Sequence, residues 1–450
     1  MKTAIITVGL GFGDEGKGAT VDFLCRRLGA DLVIRYCGGS QAAHNVRLPD
    51  GRGHVFSQFG AGTLAGARTF IGPRVIINPT ALLLEAEHLQ ELGVADPFAT
   101  LTVHPHALAS TFFHQALNRV REIARGDRRH GSCGHGIGEA RSYWLRHGSD
   151  AIEAVDLKDG DVLRRKLELL RQRTLIELQG LAHQVPSGDE DGADLLGIAT
   201  EAVAERLMEA GASIRLDPEV PDAEVALFEG AQGVLLDEWY GFHPHTTWST
   251  VTPLHAWELA LQARAGRVLT LGITRAFTTR HGAGPLPTHD AGLTARLADP
   301  GNPWNRWQGD LRVGWLDLVL LHYAARAVGH LDGLAVTWLD HAEEAQVATA
   351  YEGHPPLITP PLPDLDRQEG IHRLLETAAP VYRSVSRAGL LGALQEIAPV
   401  AIESYGPTHL DRVVKRPELL EASARGARGD QGSVLEETAR RSERARSVDS

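Results

Sequence analysis

The chain is poor in cysteine: Cys25, Cys37 and Cys133 are the three among 450 residues, scattered and without a C-x-x-C pair. Such a set builds neither a disulfide framework nor a zinc site, and it fits a reducing cytoplasm. Positive charge is also short, with 45 basic against 57 acidic residues and a net charge of −12. That balance argues against a general nucleic-acid or anionic-membrane surface, so an anionic ligand would have to be held by local features. No run approaches the roughly 18 apolar residues of a membrane span, and the first residues enter a strand pattern without a basic-then-apolar leader; a soluble protein is expected. No internal repeat is evident. With 43% hydrophobic residues the chain can bury a large core, and its length alone allows one large domain or two to three smaller ones.

What is present concentrates near the start. The apolar run Ala4-Ile5-Ile6-Thr7-Val8 leads into Gly11-Phe12-Gly13-Asp14-Glu15-Gly16-Lys17-Gly18, after which Val21, Leu24, Cys25 and Leu28 recur at helical spacing and Gly29 ends the pattern. Strand, glycine turn and helix in that order make a phosphate cradle: backbone N–H groups approach an anion, the helix start adds partial positive charge, and Lys17 reaches terminal phosphates. The template G-x-x-x-x-G-K-[ST] is met at Gly11, Gly16 and Lys17 but not at Gly18, which has no hydroxyl for a magnesium ion; the Asp14 carboxylate is the candidate ligand instead. A glycine-rich structural turn is the alternative. It is disfavoured because a charged Asp-Glu-Gly-Lys run in a buried junction is costly without a ligand to pair with.

Further on, 31–36 reads as a second strand and 37–45 as the loop at its end, facing the first loop as ligand loops of open α/β sheets do. His44 in that loop is a candidate general acid, although a lone histidine more often caps a turn. A strand and turn are expected at 70–79, an amphipathic helix at 81–92, a glycine-rich loop at 128–138, a long charged helix at 161–181 and a polar loop at 187–192. Val225-Ala226-Leu227-Phe228 feeds the turn Glu229-Gly230-Ala231-Gln232-Gly233, where Gln232 suits orientation of a carbonyl. A buried strand at 268–273 leads to Thr279-Arg280-His281-Gly282-Ala283-Gly284-Pro285. Gly314-Trp315-Leu316-Asp317 is expected to open a helix reaching about Val328, 334–337 to be a strand ending at Trp338-Leu339-Asp340, and Ser404-Tyr405-Gly406-Pro407 to be the last turn. The alternation predicts an α/β fold, a large mostly parallel sheet flanked by helices. Beyond about Arg416 the composition turns to Glu, Arg, Ala and Ser, so a domain at 1–415 and a charged, solvated tail at 416–450 are expected.

Gly13 to Gly18, Arg35-Tyr36-Cys37-Gly38-Gly39, Ala43-His44, the Gln232 and Thr279 turns, Gly314 to Asp317 and Leu339-Asp340 together resemble the adenylosuccinate synthetase family over most of residues 1–412. The resemblance implies a homodimeric, GTP- and magnesium-dependent ligase that couples aspartate to the 6-oxo position of inosine monophosphate. It assigns Asp14 to removing the purine N1 proton, His44 to assisting phosphoryl transfer and Gln232 to orienting the acceptor. It gives Asp14 and the Ala43 carbonyl to the metal, and Gly13, Asp14, Glu15, Gly16, Lys17, Gly18, Asn45, Trp338, Asp340, Ser404 and Gly406 to GTP, with Asp340 selecting guanine and the Trp338 face open to stacking. Acceptor contacts fall on Gln41, Ser132, Cys133, Gln232 and Thr247, with Arg146 offered to the neighbouring subunit. Amine contacts fall on Arg306 and Arg312.

This chain departs from that pattern. Ser132, Cys133 and His135 stand where the family has two threonines and an arginine, and 302–312 carries two tryptophans and an aspartate where the family clamps aspartate with a run of arginines. Losing bidentate clamps weakens a buried carboxylate's binding, so a divergent paralogue with another acceptor or amine competes with the ordinary purine enzyme. A rival from another class is a GTP-binding regulatory protein without turnover. Asp14 and His44 argue against it, since a pure binder needs neither base nor acid.

Overall fold

The computed structural model describes residues 1–184, 198–297, 299, 301–302, 304–360 and 363–421. The loop expected at 187–192 and the tail beyond Glu421 lie outside these residues.

Thr3–Gly9 is the central strand, and Ala4, Ile5, Ile6 and Val8 on it have no solvent exposure. A strand buried on both faces belongs inside a parallel sheet. Ten strands form that sheet, in the order Arg412–Val414, Val400–Ser404, Gly333–Thr337, Arg267–Arg275, Thr3–Gly9, Val225–Glu229, Leu32–Arg35, Arg68–Ile71, Leu101–Val103, Arg215–Leu216. All neighbours are parallel except the edge pair Val400–Ser404 and Arg412–Val414. The mostly parallel α/β sheet expected from the alternation is therefore present. The helix Lys17–Leu28 packs on Thr3–Gly9 and Val225–Glu229, ends at left-handed Gly29 (φ 63°) and buries Val21, Leu24 and Cys25.

A second sheet of four strands, Phe277–His281, Leu311–Asp317, Glu344–Tyr351 and Pro380–Ser386, was not expected. Gly314-Trp315-Leu316-Asp317 lies on its strand Leu311–Asp317, and the helix expected there begins only at Leu318. The strand's period-2 signal is hidden because Val313, Gly314, Leu316 and Asp317 are all buried. Asp317 ends the strand as the N-cap of Leu318–Val328, accepting from Leu320 N, while Tyr351 donates to its other oxygen at 2.8 Å.

The loop expected at 37–45 is likewise shorter. His44–Arg47 pairs with Gly53–Phe56 in a hairpin, so His44 stands on a strand opposite Phe56. At the other end, the boundary expected at 415 is no break in packing. Leu420 of the short helix Pro417–Glu421 is 7% exposed and joins the main core, and Glu421 pairs with Arg27 at 2.5 Å.

One cross-sheet tie holds the phosphate loop in place: Thr337 Oγ1, at the end of Gly333–Thr337, donates to the Glu15 carbonyl at 2.9 Å, and Thr337 is 5% exposed. Thr337→Val keeps the shape and leaves that buried carbonyl without its donor. The expected cost is about 1–3 kcal/mol, read as a lower urea midpoint with an unchanged m-value; an unaltered midpoint would show that the tie contributes nothing.

Candidate active site

The carboxyl ends of six neighbouring parallel strands open onto one cleft of about 570 Å³, lined by Gly13, Asp14, Gly16, Lys17, Gly18, Gln41, Ala43, His44, Asn45, Gln232, Arg275, Trp338, Asp340, Ser404 and Gly406 among others. Ligands of open α/β sheets bind at these ends. Sequence-distant residues thus meet because each follows a strand of the same sheet. Among the described residues four non-glycines have left-handed backbones, Asp14 (φ 61°), Gln232 (φ 47°), Arg264 and Trp338 (φ 60°), and all but Arg264 border this cleft. Strain of that kind gathers where a site must be held in one shape.

The loop is built around Glu15. Its carboxylate accepts from Gly11 N at 3.0 Å, Gly13 N at 2.8 Å and Lys17 Nζ at 2.5 Å, and Glu15 and Lys17 side chains are each 3% exposed. This corrects one argument from the sequence: Glu15 and Lys17 satisfy each other, so their burial does not by itself call for a ligand. Glu15 points below the loop and does not line the cleft. Asp14 points into it. Burial pushes the Asp14 carboxyl up from its usual range, while Arg275 and Lys17 pull it down, which suits a base working near neutral pH. Gly18 now has a physical reason: a Cβ there would lie 2.6 Å from His44 Cβ. The hydroxyl residue of the usual template cannot stand against the His44 strand.

His44 is 6% exposed, and its Nδ1 meets Glu229 Oε1 at 2.5 Å. Glu229, fully buried, also accepts from Ala61 N at 3.0 Å and has Arg35 Nε at 4.0 Å. Burial opposes charge on Glu229, yet His44, Arg35 and the Ala61 N–H together hold its carboxyl below the usual range. Burial lowers the His44 pKa, with Glu229 acting against it. Nδ1 is the ring nitrogen the Glu229 carboxylate engages, which sets the orientation of the imidazole and leaves Nε2 for a ligand. In the sequence Glu229 reads only as part of a turn. The signal available was an acidic residue closing an otherwise apolar strand.

Gln41 and Gln232 each keep a buried amide oxygen with no hydrogen-bond partner, so both have an acceptor to offer a ligand. Other expected residues stand apart from the cleft lining. Ser132 accepts from Asn118 Nδ2 at 2.8 Å, the Cys133 thiol is pushed up to about 11 by burial, and Thr247 N donates to the Leu236 carbonyl at 2.8 Å. Arg146 is surface-exposed and pairs with Glu177 at 2.9 Å. Arg306 lies over the Trp307 ring at 5.3 Å, and Arg312 donates to the Gly282 and Gly284 carbonyls at 2.6 and 2.7 Å. No cluster of three or more His, Cys, Asp or Glu able to hold a metal occurs among the described residues. A cation at Asp14 would have to complete its shell with carbonyl, ligand and water oxygens, the arrangement Mg²⁺ favours beside phosphates.

The sequence model of adenylosuccinate synthetase matches residues 6–394. The chain belongs to the adenylosuccinate synthetase family. It is 32% identical over 455 aligned positions to adenylosuccinate synthetase of Neisseria gonorrhoeae, covering 92% of this chain and 99% of that one. By structure it is similar to the fully ligated adenylosuccinate synthetase of Plasmodium falciparum, with a TM-score of 0.72 at 20% identity over 91% of this chain and 99% of that one. It is also similar to the cyanophage S-2L succinoaminodeoxyadenylate synthetase bound to dGMP and dATP, with a TM-score of 0.55 at 18% identity over 92% and 95% of the two chains. Both likenesses establish the fold. The family model stops at 394, yet Val400–Ser404 and Arg412–Val414 still complete the main sheet and bring Ser404 and Gly406 to the cleft.

Two outcomes follow for the His44 pair. Glu229→Gln should lower turnover by about 10²–10⁴-fold, the range for losing a positioned acid or its orienting partner, with the pH profile of kcat displaced because the imidazole loses its carboxylate partner. A depressed carboxyl stabilises the fold fully above the unfolded value of 4.5 and loses that contribution as pH falls through the folded value. The stability gap between wild type and Glu229→Gln should therefore be widest near pH 7 and narrow below pH ~4.5. A gap that grows on acidification would overturn the assignment of Glu229 as the ionised partner.

Proposed function

We propose that this chain is a GTP-dependent carbon–nitrogen ligase that phosphorylates the 6-oxo group of a purine nucleotide, inosine monophosphate or a related lactam, and couples an amine to it. Aspartate is the parent amine, and the products are adenylosuccinate or an analogue, GDP and phosphate. The observation that carries this reading is the convergence of Asp14 and the His44–Glu229 pair on one cleft beside the phosphate loop.

In this reading the helix start at Gly16–Lys17 and the Lys17 ammonium hold the nucleotide's phosphates. Asp14 takes the proton from purine N1, so electron density moves to the 6-oxygen, which attacks the terminal phosphorus as the bond to GDP breaks. His44, oriented by Glu229, meets the charge on the phosphoryl group in flight. Gln41 and Gln232 orient the acceptor. The amine then forms its bond to C6, and the former 6-oxygen leaves with phosphate. Asp14 and the Ala43 carbonyl would hold magnesium, which supplies charge neutralisation on the phosphates when bound. Asp340 at the cleft wall selects guanine by accepting from its N1–H and amino group, and Trp338 offers a stacking face. The enzyme is read as a cytoplasmic homodimer in which Arg146 reaches the neighbouring subunit's acceptor.

A second reading within this class concerns the amine. Arg312 is spent on two backbone carbonyls, Arg280 on the Ala283, Pro285 and His245 carbonyls at 2.8, 3.0 and 3.1 Å, and Arg306 sits on Trp307. The cleft wall beside them offers Asn302, Asn305 and Gln308. Amide side chains suit an amine with one carboxylate better than aspartate with two.

Phosphate release from GTP, screened against 6-oxopurine nucleotides and amino acids, tests both readings. His44→Ala should leave GTP affinity within about twofold and abolish acceptor-driven release; retained turnover would remove His44 from the mechanism. The cyanophage protein's dGMP and dATP define the control arms. Equal consumption of GTP without any acceptor would favour a GTP-binding regulatory protein.

A further inference from the structure

Arg275 is the unexplained group in the cleft. It closes the strand Arg267–Arg275 beside the phosphate-loop strand and lines the cavity, yet its side chain is 7% exposed. Its Cζ lies 3.7 Å from the Trp338 ring centroid, and Nη2 reaches Asp299 Oδ2 at 3.4 Å. Nε and Nη1 have no hydrogen-bond partner. Burying a guanidinium with two idle donor nitrogens is costly unless a ligand meets them. Burial lowers the Arg275 pKa, and Asp14, Asp299 and Glu15 act against that. Arg275 lines the same cavity as Gly13, Asp14, Gly16 and Lys17 of the phosphate loop, so the guanidinium borders the place where a phosphoryl group would lie.

We propose that Arg275 is an anion-binding residue for the β- and γ-phosphoryl groups of the nucleotide, held in orientation by the Trp338 ring on which the base stacks. This rests on the reading of a guanine nucleotide in the cleft given above. The arrangement makes one stack serve both ends of the ligand: the base covers the Trp338 ring on the side away from Arg275, while the cation on the near side extends its idle N–H groups to the phosphates. A planar guanidinium can do both, whereas an ammonium makes a poorer stack and offers different donor geometry.

The test is calorimetric titration of GTP, GDP and guanosine into wild type, Arg275→Gln, Arg275→Lys and Trp338→Phe, with Mg²⁺ present. Arg275→Gln should weaken GTP binding on the order of 10- to 100-fold and leave guanosine within about twofold; Arg275→Lys should recover part of the loss. Trp338→Phe, which keeps the cation, should weaken GTP and guanosine by similar factors. Equal GTP affinity in wild type and Arg275→Gln overturns the inference. So does an equal loss for all three ligands in Arg275→Gln, which would mean that Arg275 only props the Trp338 platform, and so does a raised KM for the amine with GTP affinity intact. Failure of wild type itself to bind GTP would instead overturn the functional reading beneath it.

Discussion

The buried Glu15–Lys17 pair shapes everything at the amino end of the sheet. Removing either partner would strand a charge, at a cost of about 3–5 kcal/mol, and removing Glu15 would also release the two backbone N–H groups that it draws inward from Gly11 and Gly13. Because those N–H groups turn toward Glu15, the chain must pass through left-handed conformations at Gly13, Asp14 and Gly16. That path throws the Asp14 carboxylate outward into the cleft and starts the helix at Lys17 with its first N–H groups open. An internal anion thus templates a loop whose outer side is built for an external one.

The second constraint is sheet topology. The parallel strands Thr3–Gly9, Val225–Glu229, Leu32–Arg35, Arg267–Arg275, Gly333–Thr337 and Val400–Ser404 deliver Asp14, Gln232, His44, Arg275, Trp338 and Ser404 to one edge. Close contacts then fix the loops against one another. A Cβ on Gly233 would meet the Gly11 carbonyl at 2.2 Å, and one on Gly38 would meet Ala231 at 2.4 Å. Gly233 is needed because two loops approach there backbone to backbone and Gly38 because the Ala231 methyl fills the space beside it, demands that no single strand's sequence displays.

That division explains what could be read from the residues alone. Apolar runs ending in glycine turns gave the parallel strands and the phosphate loop, because a strand buried on both faces needs a continuous apolar stretch and its ligand loop needs glycine. The strand Leu311–Asp317 escaped because burial on both sides erased its alternation, and the His44 hairpin escaped because His44–Arg47 is only four residues long. Motif residues carry no distances, so the sequence could gather Asp14, His44 and Gln232 but could not separate them from Ser132, Cys133, Thr247 and Arg312, which lie off the cleft lining. Glu229 and Arg275 were missed for a different reason: their roles are relations to His44, Ala61, Trp338 and Asp299, each far away in the chain.

The charge carried by the cleft follows from the same geometry and runs against the composition. The chain as a whole is strongly acidic, at −12, yet the lining holds Lys17, Arg47, Arg275, Arg296 and Arg412 against Asp14, Asp299 and Asp340, so a positive excess remains even with Lys17 set against buried Glu15. Low-dielectric walls concentrate the field of such a local excess, so a polyanion is drawn to this edge although the rest of the surface repels it. At His44 burial lowers the pKa, Glu229 acts against that, and the nearby cations Arg35 and Lys17 add to the lowering. Anionic phosphates arriving beside it would act in the same direction as Glu229 and raise its proton affinity. In the proposed reading of His44 as the acid, the ligand's own charge therefore favours the protonated ring, which links phosphoryl chemistry to occupancy of the cleft.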